Sequence, residues 1–395
     1  MQLIRRVVAT GLVLSAGLAV AAWGQSDPGR DGAATTAIDK GAIEIDFLFN
    51  YYNQDGENSA VTGGIGTEAM DVVTPTVVLN WQVSKLWTLS ADLGADAISS
   101  ASVDAIDDNL SSASKLDTRA HTSVTMSRET GRQTVGFSTA ISTEYDYNSL
   151  MAGLSWARDF NQENTTLALG VRHYADVVDL YDIEGVHQGE DDRTTTDLSI
   201  NLTQVLSKRS VGAIEISLSD QSGFLSTPFH EVILAPADGP QIRIAERLPD
   251  SRSRTAVGLR YNYAFSKRAI GSFRLRGYDD DWGVQAFTVE VEPHFKWRGE
   301  KDAWIFPILR HHDQQGSDYF GGPATFDGSE AFFTADRDLS TFTSQKYGVG
   351  WKVALGGTAA RRTGWSRFET RLTYYTRSDG LESISTSFAF GWSLR

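Results

Sequence analysis

The sequence predicts an all-β fold, a transmembrane up-and-down antiparallel β-barrel of about 16 strands, with 14 to 18 compatible. Three observations predict it. Apolar and polar residues alternate with period two in about sixteen segments of roughly ten residues, the length a tilted strand needs to cross a bilayer. The connections between those segments alternate between short and long. No window past the amino end approaches the roughly 18 to 20 apolar residues of a spanning helix, so any membrane crossing must be made by strands.

The amino end carries Arg5 and Arg6, an apolar stretch from Val7 to Ala22 and small residues at Ala21, Ala22 and Gly24. That is the layout of a secretory signal, expected over residues 1–24 with cleavage near Gln25. A short periplasmic segment, 25–40, and a barrel over 41–395 follow. Loss of Arg5 and Arg6 leaves 34 basic residues against 50 acidic ones, a formal charge of −16 where the full chain has −14. Nucleic acid is therefore not expected as a partner. There is no cysteine, which excludes disulfides, thiolate metal sites and lipid attachment at a lipobox.

Within the barrel region, Ile43, Ile45, Phe47, Phe49 and Tyr51 alternate with Glu44, Asp46 and Asn50. The same pattern returns in Val135, Phe137, Thr139 and Ile141, in Val257, Leu259, Tyr261, Tyr263 and Phe265, and in Phe368, Thr370, Leu372 and Tyr374. In a strand this puts one residue set toward lipid and the other toward the lumen. Short turns are expected near 83–86, 128–132, 158–163, 206–210, 266–268, 298–301 and 355–363. Long connections are expected near 54–69, 98–114, 177–193, 220–251 and 313–337, with short ones near 145, 280 and 379. Tight periplasmic turns and longer outside loops give this rhythm.

Tryptophan follows it. Trp81, Trp87, Trp156, Trp297, Trp304, Trp351, Trp365 and Trp392 all stand near the short turns or the carboxyl end. An indole has an apolar body and a donor tip and prefers the headgroup level, so these eight are expected to form the girdle at one membrane interface. The closing run Phe388, Phe390, Trp392, Leu394 looks like the carboxy-terminal assembly signal of outer-membrane barrels, although Arg395 stands where an aromatic is usual.

From about Asp117 to the end, several segments resemble a proteobacterial family of predicted outer-membrane proteins catalogued only as a domain of unknown function. They are Gly223 to Phe229, Glu246 to Arg254, Tyr278 to Gly283, Ser317 to Phe320 and Ala335 to Ser340. The resemblance implies a barrel in a Gram-negative outer membrane and carries over no activity. The partners expected of such a barrel are outer-membrane lipid, lipopolysaccharide, to which the acidic loops could bridge through divalent ions, and the barrel assembly machinery, which the closing strand would engage.

Alternation places Arg252, Arg254 and Arg260 on one inward face, Arg274 and Arg276 on the next strand, and Glu290, Glu292 and His294 beyond. A tight turn at 266–268 sets Arg260 opposite Arg274 and Gly258 opposite Arg276. Like charges facing across a strand pair are destabilising, so an anionic group is expected nearby. Two readings of this face stand side by side, a ladder of ion pairs that stiffens the wall and an anion-handling constriction. The acidic clusters at Asp104, Asp107 and Asp108, at Glu190 to Asp192 and at Asp279 to Asp281 read as solvated loops, and no metal or cofactor is assigned. No spacing fixes a nucleophile beside a base; His311, His312 and Asp313 are the nearest approach to one, so an enzyme is not expected. The function expected is a porin-like or substrate-selective channel with an arginine-rich lumen track. Its rival is a non-conducting anchor or binding protein for an envelope partner, plugged by the segment carrying Pro228, Pro236, Pro240 and Pro249.

Overall fold

The computed structural model describes residues 41–100, 117–297, 302–355 and 364–394. The expected signal, the segment 25–40, most of the connection near 98–114, the turns at 298–301 and 356–363, and Arg395 lie outside the described residues. The strands are β1 (Ile43–Asp55), β2 (Met70–Gln82), β3 (Trp87–Ser100), β4 (Asp117–Thr130), β5 (Gln133–Glu144), β6 (Tyr147–Phe160), β7 (Thr165–Tyr181), β8 (His187–Ser207) and β9 (Ser210–Gly223). A small hairpin follows, β10 (Glu231–Leu234) and β11 (Ile242–Ala245). The series resumes with β12 (Ser251–Ser266), β13 (Ala269–Asp280), β14 (Gln285–Lys296), β15 (Ala303–Gln315), β16 (Phe342–Ala354), β17 (Trp365–Arg377) and β18 (Glu382–Leu394).

Sixteen of these strands form one closed antiparallel barrel. Each pairs with the next, β9 pairs with β12 across the small hairpin, and β18 closes on β1 with Leu394 opposite Ile43 and Phe390 opposite Phe47. Closure leaves no unpaired edge, which is what backbone groups in hydrocarbon require. The outward set is apolar and uncovered: Leu93 is 63% exposed, Leu154 59% and Phe137 54%. An apolar band of this extent is costly against water and stable only against lipid.

One expected loop is instead strand. Between 177 and 193 the ladder continues, with Val177 opposite Asp192, Val178 opposite Asp191 and Leu180 opposite Gly189. Valines and Tyr181 on β7 supply the strand preference that the acidic β8 side lacks. The turn shrinks to residues 182–186, where the Asp182 carboxylate accepts from the backbone N–H of Glu184 at 3.1 Å and of Val186 at 2.8 Å.

All eight tryptophans lie at the short-turn end, and those within strands have outward register, with one exception. Trp304 is the correction: it faces inward, opposite Lys296 and Lys352, and is buried. The Lys296 ammonium lies 5.7 Å from the indole centroid and Trp304 Nε1 donates to Asp302 at 3.2 Å. The run Trp304 to Leu309 is apolar on both faces, so alternation could not assign its sides. The inward Phe306 lies over Gly350 on the neighbouring strand, in space that any side chain at that position would fill.

The compact apolar clusters all stand at the long-loop end. Leu225, Leu248, Trp282, Val284 and Leu339 form one; Val232, Leu234, Phe326, Phe333 and Ala335 form a second; Met70 and Val72 form a third. They knit together the connections 56–69, 224–250 and 316–341. Glu231 N–H donates to Val61 O at 2.9 Å, and Arg247 and Phe333 exchange backbone bonds of 3.1 and 2.7 Å. The Arg337 guanidinium reaches Gly63 O at 2.7 Å. Inward-facing wall residues hold this body from below: Gln314 donates to Ser340 O at 2.9 Å and Arg377 to Arg337 O at 2.8 Å. The loops are thus folded inside the rim of the barrel.

Candidate functional site on the inner wall

The inner wall is built from lateral rows, because residues opposite each other in an antiparallel ladder share a face. One row runs Arg260, Arg274, Glu290, Arg310, Lys346 and Tyr375 from β12 to β17. The next row toward the loops runs Glu215, Gly258, Arg276, Thr288, His312 and Ser344. Arg260 does stand opposite Arg274, and Gly258 opposite Arg276.

Each of the facing arginines has its own carboxylate. Arg274 Nη1 meets Glu290 Oε1 at 2.7 Å, and Arg260 pairs with Glu215 of the preceding strand. Glu215 also occupies the space above Gly258, its Cβ 3.5 Å from where a side chain there would begin. Glu292 serves other groups: Arg371 Nη1 at 3.0 Å and His294 Nε2 at 2.9 Å. Arg371 in turn holds Glu369 at 2.8 Å and lies 4.8 Å from the Phe306 ring centroid.

Arg252 and Arg254 also have inward register. Arg252 is closed off from the lumen, however: it is buried, bonds Asp280 Oδ2 through Nε at 2.9 Å and Nη2 at 2.5 Å, and lies 4.3 Å from the Trp282 ring centroid. Asp280 further accepts from Tyr278 Oη at 2.7 Å and from the backbone of Trp282 at 3.0 Å and Val284 at 2.9 Å. This arginine is a fastener between wall and loop body. Glu215, Arg310, Lys346, Glu369 and Arg371 were missed as site residues. The alternation of Tyr347 and Val349, and of Leu372 and Tyr374, already implied inward Lys346 and Arg371.

The other side of the lumen differs in kind. A row through β4 to β12 reads Ser127, Gly136, Ser155, Gly170, Ser199, Ser217 and Ala256, none larger than serine. Long cationic side chains therefore cluster on β12 to β16, whereas this row on β4 to β9 is short; toward the loops the same strands carry Arg172 opposite Asp197. Among the described residues no group of three or more His, Asp or Glu side chains is set to hold a metal ion.

The family described as "Protein of unknown function (DUF3570)" matches residues 103–387. The chain belongs to that family. No curated relative matches it. Among solved structures, it is similar to a bacterial polysaccharide outer membrane secretin at 12% identity and a TM-score of 0.51, covering 89% of this chain and 98% of that one. A loop L8 deletion mutant of OmpT, an outer membrane protein of Vibrio cholerae, matches at 6% identity and a TM-score of 0.44, over 90% and 100% of the two chains. OccK1 of Pseudomonas aeruginosa matches at 7% and 0.42, over 90% and 99%. The first of these shows the barrel fold and no more.

Proposed function

We propose that the protein is an exported outer-membrane channel of porin type, not an enzyme, and that its lumen favours anions. The observation that carries this reading is the cationic row on β12 to β16 of a sixteen-strand barrel that has a row of small side chains on β4 to β9. Sixteen strands enclose more space than wall side chains alone fill, and a field confined in a low-dielectric wall biases which ions pass. The short turns would then face the periplasm, the outward tryptophans would sit at that interface, and the acidic outer loops would meet lipopolysaccharide. Assembly would pass through the barrel machinery, guided by the Phe388 to Leu394 strand.

Reconstituted in planar bilayers under a salt gradient, the purified protein is expected to conduct with a reversal potential on the anion side. Replacing Arg260, Arg274 and Arg276 together by glutamine is expected to shift that potential toward zero. Unchanged selectivity with a lowered unfolding midpoint would make the row a structural ladder only.

A second reading rests on the loop body folded inside the rim. If it closes the lumen, the protein is a plugged envelope anchor or binding module. Absence of single-channel steps in the wild type, with steps appearing once residues 317–335 are deleted, would favour it.

A further inference from the structure

The cations of the inner wall are not equivalent. Wherever two arginines of the facing strands come together, a glutamate is supplied: Glu215 for Arg260 and Glu290 for Arg274. Three cations beside them receive none. Among the described residues, Arg276, Arg310 and Lys346 enter no ion pair and no side-chain hydrogen bond, while Arg310 and Lys346 stand directly opposite each other on β15 and β16. A like-charged cross-strand pair of that kind is destabilising unless something anionic lies against it. Glu290 neighbours Arg310 on the other side but is bonded to Arg274. Arg276 is one row nearer the loops and two strands from Arg310, across Thr288 of β14. Five cations therefore share two carboxylates on this patch, a surplus of three. Arg276 is exposed to the lumen, and Arg310 and Lys346 are half-buried with their wall positions fixed by the ladder.

We propose that Arg276, Arg310 and Lys346 form a binding subsite for an oxyanion carrying two or more charges, at which such a solute pauses on its way through the lumen. Guanidinium forks bond two oxygens of one phosphate or carboxylate group at once, and the ammonium adds a compact charge with rotatable donors. Strand spacing of about 4.8 Å puts β13 and β15 about 10 Å apart at the backbone, a gap that two arginine side chains leaning together can close around one small anion. Thr288, between them on β14, adds a hydroxyl that already bonds His312 Nδ1 at 2.8 Å. The proposal deepens the anion-channel reading, but binding does not need the lumen to be open from end to end.

The probe is inorganic pyrophosphate, titrated calorimetrically into the detergent-purified full chain in a constant chloride background. The wild type is expected to bind it saturably. Arg276→Gln/Arg310→Gln/Lys346→Gln is expected to lose at least tenfold in affinity, each single variant about threefold or more, and Lys208→Gln/Arg209→Gln, in the turn between β8 and β9, less than twofold. Gel migration with and without heating verifies the fold of each variant, and the single variants decide the matter if the triple one does not fold. No saturable binding by the wild type, or a loss in the turn variant equal to that in the triple variant, would overturn the subsite. Failure of the bilayer experiment with pyrophosphate binding intact would instead remove the channel and keep the subsite.

Discussion

At Asp280 a single buried carboxylate joins a strand end to the loops above it. Its oxygens collect Arg252, Tyr278 and two backbone N–H groups, and the indole beside it is fixed by its own bond from Trp282 Nε1 to Ser251 O at 2.8 Å. Removing one member of a buried ion pair strands the other in low dielectric, at roughly 3 to 5 kcal/mol. Asp280→Ala is therefore expected to loosen the turn at 281–284 and the cluster around Trp282, seen as new protease cleavage there in a barrel that still resists unfolding. Arg252→Ala combined with Asp280→Ala should be milder than Asp280→Ala alone, because no orphaned charge remains. Cleavage no greater in the single variant than in the wild type would show that this carboxylate fastens nothing.

The same residues show what a sequence yields at this scale. The pairing of Arg260 with Arg274 was readable because a tight turn separates their strands and fixes their register. Glu215 was not, since β9 meets β12 only across the small hairpin and 27 intervening residues, 224–250. Arg252 has the inward register that alternation assigns, yet what covers it comes from loops whose folding no period describes.

Among the elements, strands were legible and loop structure was not. Alternation gives a strand its two faces, and β7 and β8 run past their expected ends because register continues wherever both chains can pair. The loop body has no such repeat, and its acids are unusual. Burial pushes the Glu68 carboxyl up to about 7; burial and the nearby charges of Asp338 and Glu246 push that of Asp336 up to about 8. Undocked, these groups return toward 4.5 and 3.8. The docked state thus binds protons more tightly than the undocked one. Its stabilisation from these two acids is complete below about pH 4 and is lost as pH rises through 7 to 8. Hydrogen exchange in the connection 316–341 is expected to be slower at pH 5 than at pH 9, with the difference reduced in Asp336→Asn. Exchange that slows as pH rises, after correction for intrinsic rates, would contradict this.

For the molecule as a whole, the direction of threading is the property most open to a direct check, since the chain has no cysteine of its own. Asp191→Cys, near the tip of the β7 to β8 hairpin, and Asp327→Cys, in the loop body, are expected to react with an impermeant maleimide on intact cells. Lys208→Cys, in a two-residue turn at the opposite end, should react only after the outer membrane is opened. The reverse pattern would mean that the barrel lies the other way up. Net charge is a poor guide at this scale: a chain of formal charge −14 still gathers cations on one stretch of inner wall.

The seam between β1 and β18 has a consequence for how such a molecule comes into being. Ile43 and Leu394 are neighbours in the ladder although nearly the whole described chain lies between them. Every other adjacent pair of barrel strands can zip up as a local hairpin or across one insertion, so the growing sheet carries two bare margins, each thirteen residues long, until the final strand arrives. Hydrocarbon tolerates neither margin, and in water each is a template for pairing with a stranger. The two margins satisfy one another only when β18 meets β1, so a half-made sheet of this kind stays open to mispairing until its last strand is in place. The rate at which the seam closes would then govern how long the molecule is exposed to that hazard.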